Sequence, residues 1–355
     1  MGYRYIGSKV KIIDNVLDKI VELAPVGGTI VDLMSGTGIV SSELRKKNYS
    51  LIANDLMTYS YHHSIVNLKF HELPKFECLI KYISNYFEIN KSKSAYENVI
   101  DYLNELKPIK GYFWKEFSPD GKPKNTINPR NYFSMHNAQK IDSIRLSIKN
   151  FYEKNLLLEY EYSLLIHDLI MAANDIANIA GTYGHYMARL SGRALSPITL
   201  KPTELYLKND TEKHLVLQGY AEENAKVITG DLCYIDPPYM KRQYAANYHI
   251  LETLARGDEP EAIGVSGLRP WRDQYSNFCT KTKIRKSFDE IFTNINCNDF
   301  LISYSEDGLL SIDDFRTLLT QYGKVDINEF KHKRFRSNNS SLNDTLTEYL
   351  IHLYR

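Results

Sequence analysis

Charge of one sign is what this sequence lacks most plainly: 44 lysines and arginines stand against 43 aspartates and glutamates, a formal net charge of +1 at pH 7. So balanced a chain has no global pull toward nucleic acid or an anionic membrane, and any polyanionic partner must be met by a local patch. Long apolar runs are missing too. None approaches the roughly 18 residues that span a bilayer, so no membrane association is expected. Residues 1–11 hold no apolar stretch of signal-peptide length. Ile6 stands where a myristoylation signal wants Ser or Thr, so no acyl anchor is expected at Gly2. Cysteine is scarce. Cys78, Cys233, Cys279 and Cys297 lie far apart with no CxxC pair, which argues against a disulfide framework or a structural zinc and for buried reduced thiols in a cytoplasmic protein. His62, His63 and His185 show no metal-ligand spacing, and no metal is expected.

At 355 residues, 43% hydrophobic and 25% charged, the chain is long enough for about two domains, or one large domain with an insertion. The first regular element is an apolar strand over 29–34, which runs into Ser35-Gly36-Thr37-Gly38. Helical spacing follows through Ile39, Val40 and Leu44 and ends in the basic turn Arg45-Lys46-Lys47. A second strand over 50–54 stops at Asp55. Strand, glycine turn, helix, strand and acid open a doubly wound α/β sheet. From about residue 60 the pattern changes. Residues 62–106 read mostly as helix, 108–135 mix turn chemistry with aromatics and lysines, Asn137 reads as the cap of a helix over 138–153, and a longer helix is expected near 160–190. Strands return at 227–228, 232–235, 300–304, 324–327 and 349–353. The expectation is an α/β domain formed by 1–60 and 200–355, split by a largely helical insertion at 61–199.

Gly36 and Gly38 let a ligand approach the backbone, and the helix that follows offers free amide donors. Asp55, at the end of the next strand, stands where a carboxylate accepts both hydroxyls of a ribose. That geometry suits NAD, FAD and S-adenosylmethionine equally. Ser41 in place of the third glycine of the dinucleotide fingerprint weakens the nicotinamide reading.

The second motif is Asp236-Pro237-Pro238-Tyr239, at the end of an apolar strand. Two prolines fix φ and remove two amide donors, so the chain leaves the sheet in a stiff turn with its carbonyls exposed. Asp236 and the carbonyl of Pro237 accept both hydrogens of an exocyclic amine, and Tyr239 stacks on the face of the ring that carries it. Drawing those hydrogens into hydrogen bonds keeps the nitrogen lone pair out of the ring, free to attack a methyl sulfonium in line.

Together these motifs resemble the amino-methylating DNA methyltransferases. With Tyr5-Ile6-Gly7-Ser8-Lys9 ahead of the glycine turn, the chain is similar to the Dam-like N6-adenine enzymes. The segment from Asp236 to Glu252, with Tyr132-Phe133-Ser134 and Ser303-Tyr304-Ser305-Glu306-Asp307-Gly308, looks like the branch that accompanies type II and type IIS restriction endonucleases. The resemblance covers nearly the whole chain. It implies a Rossmann-like S-adenosylmethionine-dependent catalytic domain, with 61–199 as a target-recognition insertion. It implies that Tyr5, Gly7, Ser8 and Lys9 line the methionine end of the cofactor. Asp32, Leu33, Ser35, Gly36, Thr37 and Gly38 hold its amino-acid and ribose side, with Asn54 beside them and Asp55 on the ribose hydroxyls. Asp236, Pro237, Pro238 and Tyr239 carry the catalysis, and Arg242, Gln243, Tyr244 and Tyr248 flank the base pocket. One position departs from the family: where an acid often meets the cofactor's adenine, Gln218-Gly219-Tyr220-Ala221-Glu222 offers either Tyr220 to stack or Glu222 to substitute.

Double-stranded DNA is the implied partner. A target amine inside a duplex must be flipped out of the stack, and holding the duplex needs phosphate contacts and groove readers. The local candidate is Lys331-His332-Lys333-Arg334-Phe335-Arg336, whose alternative is a solvated surface run. In the insertion, Lys110, Lys115, Lys122, Lys124 and Arg130 interleave with Tyr112, Phe113 and Trp114, to read base edges or to pack an aromatic loop on helices. The expected reaction is methyl transfer to adenine N6 in a specific DNA sequence, protecting it from a cognate restriction endonuclease. The rivals are N4 of cytosine in DNA, N6 of adenine in RNA and, from a different class, a non-catalytic DNA-binding subunit. Direct displacement asks for positioning and a held lone pair, so the reaction implies no metal.

Overall fold

The computed structural model describes residues 9, 12–126, 128–208, 213–333 and 345–355, with 332 and 333 as backbone alone. The chain forms two compact units. One is the described part of 65–209 and 245–273, the other that of 6–64, 210–244 and 274–355.

All the named strands fall in the second unit: β1 (Thr29–Asp32), β2 (Ser50–Asp55), β3 (Leu215–Gln218), β4 (Leu232–Ile235), β5 (Asp299–Ser305), β6 (Lys324–Lys333) and β7 (Thr345–Tyr354). They make a 7-stranded sheet in the order β3-β2-β1-β4-β5-β7-β6. β1 to β5 pair in parallel, whereas β7 runs antiparallel to both of its neighbours. This is the doubly wound, Rossmann-like α/β sheet, with one antiparallel strand, β7, set between β5 and the edge strand β6. β3 is absent from the strands legible in the sequence because it has four residues and its first, Leu215, is exposed. The strand expected at 227–228 does not form. Val227 is 78% exposed, and the pairing there is a single bridge from Thr229 to Asn296.

One packed core of this unit lies on one side of the sheet. Val31, Cys233, Ile235, Phe300 and Ile302 meet Phe288, Ile291 and Phe292 from the helix Ile284–Asn294, and Phe315 from the helix Ile312–Leu319. Positions 284, 288, 291, 292 and 295 recur at helical spacing, so one stripe of that helix is apolar and buries on the strands. Each large side chain removed from water in this way contributes about 1.5–3 kcal/mol.

The other unit is helical, with Glu77–Ile83, Ala95–Glu105, Tyr112–Phe117, Met135–Glu153, Glu159–Asp175 and His249–Arg256 as its main elements. The stretch 62–106, read mostly as helix, forms separate helices, the last of which Ser94 with Glu97 opens through a capping box. Asn137 is not a cap. Ser134 does that work, its Oγ accepting from Asn137 N at 3.3 Å. Asn137 lies inside the helix, buried, where its Nδ2 donates to Ala194 O and Ser196 O and its Oδ1 accepts from Ile198 N. The helix expected near 160–190 ends at Asp175, ahead of a stretch that contains Gly181 and Gly184.

The sequence places 245–273 with the catalytic domain, whereas here the segment packs with the helices through buried cations. Arg130 is wholly buried: it donates to Glu116 Oε2 at 2.7 Å and to the carbonyls of Ala262, Gly264 and Val265. Arg145 reaches Asp258 O at 2.7 Å, Tyr112 Oη reaches Pro260 O at 2.8 Å, and Lys149 Nζ reaches Gly257 O at 3.1 Å. Gly267, at φ +68°, lets Arg130 pass, since a Cβ there would stand 2.8 Å from Arg130 Cδ and from Phe117 Cε1. Arg130 is therefore a clamp and not a reader of base edges, and the buried Phe113, packed against Phe117 and Phe133, is core. Cys78 is exposed, unlike the other three cysteines and contrary to the expectation of burial. No helix among the described residues is long and apolar enough to cross a membrane.

Candidate active site

Strand register gathers the acids. Parallel pairing sets Ala53 beside Asp32, Asp32 beside Tyr234 and Tyr234 beside Leu301. Antiparallel pairing sets Leu350 opposite Ser303 and Glu348 opposite Ser305. Side chains two residues apart share a face of a strand. Asp32, Asp55, Tyr234, Ser303, Ser305 and Glu348 therefore lie on one face, opposite to the cluster built on Phe288 and Phe292, and Asp236 follows Tyr234 on that face just beyond β4. The acids of β1, β2 and β4 sit at the carboxyl ends of parallel strands, the edge where open α/β sheets bind ligands.

The glycine turn is tightly built. Gly36 has φ +54° and Gly38 φ +74°, left-handed values that glycine adopts without strain, and Gly38 caps the helix Ile39–Lys46. Asp55 shapes the turn with both oxygens, accepting from Gly36 N and from Met57 N at 2.8 Å each. Asn54 braces three loop ends: Nδ2 donates to Leu33 O and Gly219 O, and Oδ1 accepts from Asn224 Nδ2 at 2.6 Å. Ser35 N donates to Asn54 O, and Ser35 Oγ lies 3.1 Å from Ser64 Oγ. Asp32 is buried and accepts from Ser41 Oγ at 2.6 Å. Burial pushes its carboxyl up to about 7, against the opposing pull of the Ser41 hydroxyl.

Asp236 sits at the start of the double-proline turn, with 18% of its side chain exposed, and Lys9 Nζ holds its Oδ1 at 3.0 Å. Lys9 is itself 95% buried, 3.7 Å from Glu348 Oε2 and 5.6 Å from the centroid of the Tyr239 ring. Burial alone would lower the lysine's pKa, yet the carboxylates of Asp236 and Glu348 outweigh it and leave Lys9 firmly protonated. Burial also raises Asp236, and the Lys9 ammonium pulls it back. The turn is anchored beyond the prolines, where Tyr239 O accepts from Leu309 N at 3.0 Å and its ring packs edge-on against Tyr304. A carboxylate fixed through one oxygen, beside carbonyls with no amide donor among them, is an acceptor set for an amine.

A family model for D12 class N6 adenine-specific DNA methyltransferases matches residues 5–318. The chain belongs to this family. Among its relatives, modification methylase StsI of Streptococcus sanguinis is 31% identical over 360 residues, covering 99% of this chain and 52% of that protein. Type II methyltransferase M.FokI of Planomicrobium okeanokoites is 31% identical over 363 residues, 99% of this chain and 52% of its own length. Type II methyltransferase M.NlaIII of Neisseria lactamica is 31% identical over 357 residues, 98% of this chain and 97% of its own. The chain thus spans about half the length of the first two and nearly all of the third.

Within this D12 class member, the structure brings together Lys9, Asp236, Pro237, Pro238 and Tyr239 in one cluster, and Asp32, Leu33, Ser35, Gly36, Thr37, Gly38, Asn54 and Asp55 in another, at the ends of adjacent strands of one sheet. Tyr5, Gly7, Ser8 and Arg334 lie outside the described residues. Lys331 is exposed near the end of β6, and Lys333 is described by its backbone only. Arg242 is exposed and Tyr244 half-buried. Gln243 is a loop brace: its amide donates to Ser276 O at 2.9 Å and accepts from Ser276 N at 2.8 Å. Tyr248, expected to flank the pocket, is completely buried, which leaves it no surface for a nucleotide in this conformation. Glu348 escapes the sequence reading altogether. The signal for it is weak but present, a charge in phase with Leu350 on a strand that buries.

Proposed function

We propose that this chain moves a methyl group from S-adenosylmethionine to N6 of an adenine in a specific sequence of double-stranded DNA, as the protective half of a restriction–modification system. The observation that carries the reading is Asp236, held through Oδ1 by buried Lys9 in a turn whose two prolines carry no amide donor. Its Oδ2 and the Pro237 carbonyl accept the two amine hydrogens, and Tyr239 covers the ring. Bound S-adenosylmethionine supplies an electrophilic methyl on a positively charged sulfur.

The residues present fit that cofactor. The left-handed glycines give its amino-acid end a close backbone approach, and Asp55 borders the ribose position. Glu222, in the short helix that follows β3, has Oε1 buried with no hydrogen-bond partner among the described residues. That orphaned acceptor suits the cofactor's adenine amine, and Glu222 takes that contact in preference to Tyr220. A base in a duplex is out of reach, so the adenine is flipped into the site. Lys110, Lys115, Lys122 and Lys124, all exposed on the helical unit, supply phosphate contacts. Arg242, Tyr244, Lys331, Lys333 and Arg334 do the same for the catalytic unit.

Modification-sensitive sequencing of DNA from cells expressing the protein, beside an Asp236→Ala control, tests this. N6-methyladenine at one short motif, absent from the control, is the expected outcome. Unmodified DNA in cells whose purified protein binds S-adenosylmethionine would remove DNA as the substrate and point to RNA. Resistance of the modified DNA to a nuclease that cuts the same motif would establish the protective role.

A further inference from the structure

Glu348 occupies a position on β7 where an apolar side chain is the ordinary occupant. It is in phase with buried Leu350 and is itself 4% exposed. A buried carboxylate is costly unless a cation answers it. One cation that does so is Lys9, whose Nζ stands 3.7 Å from Glu348 Oε2 and 3.0 Å from Asp236 Oδ1. The first contact has ion-pair length, the second hydrogen-bond length. Glu348 therefore pulls on the position of the ammonium while Asp236 accepts a hydrogen bond from it. The same ammonium lies against the Tyr239 ring. One cation thus touches both parts of the proposed amine-binding turn, and a carboxylate on another strand shares it.

We propose that Glu348 is a positioning residue for the target-base site. By sharing Lys9 it keeps the ammonium on Oδ1 of Asp236 and away from Oδ2, which stays open to the target amine. This rests on the function proposed above. In that reaction the amine lone pair forms the new N–C bond, the S–C pair stays with sulfur, and positive charge passes to nitrogen, which then sheds a proton to solvent. An ammonium bridging both oxygens of Asp236 would compete with the amine for its acceptor. It would also set a positive charge beside a nitrogen that is becoming positive.

The test compares wild type with Glu348→Gln, which keeps the shape, and Glu348→Asp, which keeps the charge. The readouts are single-turnover methyl transfer, S-adenosylmethionine affinity, melting temperature and hydrogen exchange of the Lys9 ammonium by 15N NMR, its signal assigned with Lys9→Arg. Glu348→Gln should slow methyl transfer by about tenfold or more, with cofactor affinity and melting temperature near wild type. Glu348→Asp should recover most of the rate. The Lys9 hydrogens should exchange several-fold faster in Glu348→Gln, because exchange is hydroxide-catalysed and a nearby negative charge has been removed. A wild-type rate in Glu348→Gln, a loss that merely tracks cofactor affinity or melting, or unchanged Lys9 exchange would each overturn the role. If wild type itself puts no methyl on adenine N6, the proposed function falls. Lys9 exchange then still decides whether Glu348 holds the ammonium.

Discussion

Replacing Asn54 should damage the fold of the cofactor edge in an order that charge, not size, dictates. The side chain is 1% exposed. It donates to Leu33 O at 3.0 Å and Gly219 O at 3.3 Å and accepts from Asn224 Nδ2 at 2.6 Å. Asn54→Ala deletes these bonds and leaves the Leu33 carbonyl and the Asn224 amide short of a partner. At about 0.5–1.5 kcal/mol per bond and about 1–3 kcal/mol for a buried group left unsatisfied, the cost is roughly 2–4 kcal/mol. That is a large share of the ~5–15 kcal/mol that holds an ordinary domain together. Asn54→Asp is nearly isosteric, yet it should be worse. It turns the donor into a second carboxylate oxygen facing two carbonyl oxygens, and only the bond from Asn224 survives. Guanidinium denaturation of both variants, with calorimetric titration of S-adenosylmethionine, should give stability in the order wild type, Ala, Asp, with affinity falling in step. An Asp variant as stable as wild type would refute the reasoning. So would an Ala variant that keeps its stability while losing affinity, since that is how a direct ligand behaves.

Three further outcomes are expected. Arg130→Met leaves Glu116 and several carbonyls buried without their cation. It should cost about 3–5 kcal/mol, which at ~2–4 °C per kcal/mol lowers the melting point by roughly 6–20 °C; a thermal scan showing a shift under about 2 °C would contradict the clamp. Gly267→Ala drives a methyl into Arg130 and Phe117 at a left-handed φ, so it should destabilise by at least ~1 kcal/mol, checked by denaturation midpoint. Asp32 titrates at about 7 when folded and 3.8 when unfolded. The folded state therefore prefers the protonated form, and this stabilisation is full below pH 3.8 and lost as pH rises through about 7. Asp32→Asn, which keeps an acceptor for Ser41, should flatten the fall in urea midpoint of the cofactor-free protein between pH 5 and 8. An unchanged slope would show that Asp32 does not set it.

The sheet was legible where local pattern and tertiary role agree. β1, the glycine turn, β2 and the double-proline turn each carry their signal within a few residues, because backbone freedom at Gly36 and Gly38 and its loss at Pro237 and Pro238 are written in residue type. β3 was not, since four residues with an exposed leucine have no period to read. Asn137 shows a different limit. Its residue type is right for a cap, but Ser134 caps that helix and the asparagine ties 194–198 to it. Arg130 and Gln243 look like ligand contacts in a list of polar residues. Each is consumed by backbone groups far along the chain, a fact of packing that no spacing encodes. Glu348 is the converse, a surface-type residue in a strand, whose meaning appears only when β7 is set beside β5.

The position of β7 also bears on the order in which the protein becomes complete. β6 pairs with β7 and, among the described residues, with no other strand, and β5 has β7 as its outer neighbour. While the chain is being made, β6 emerges before the strand it needs, and β5 offers an open edge of the kind that invites mispairing. The strand that closes both at once is also the one that brings Glu348 to Lys9. A nascent chain therefore passes through a vulnerable stage with an unfinished sheet, and the charge cluster around Asp236 is assembled only when that stage ends.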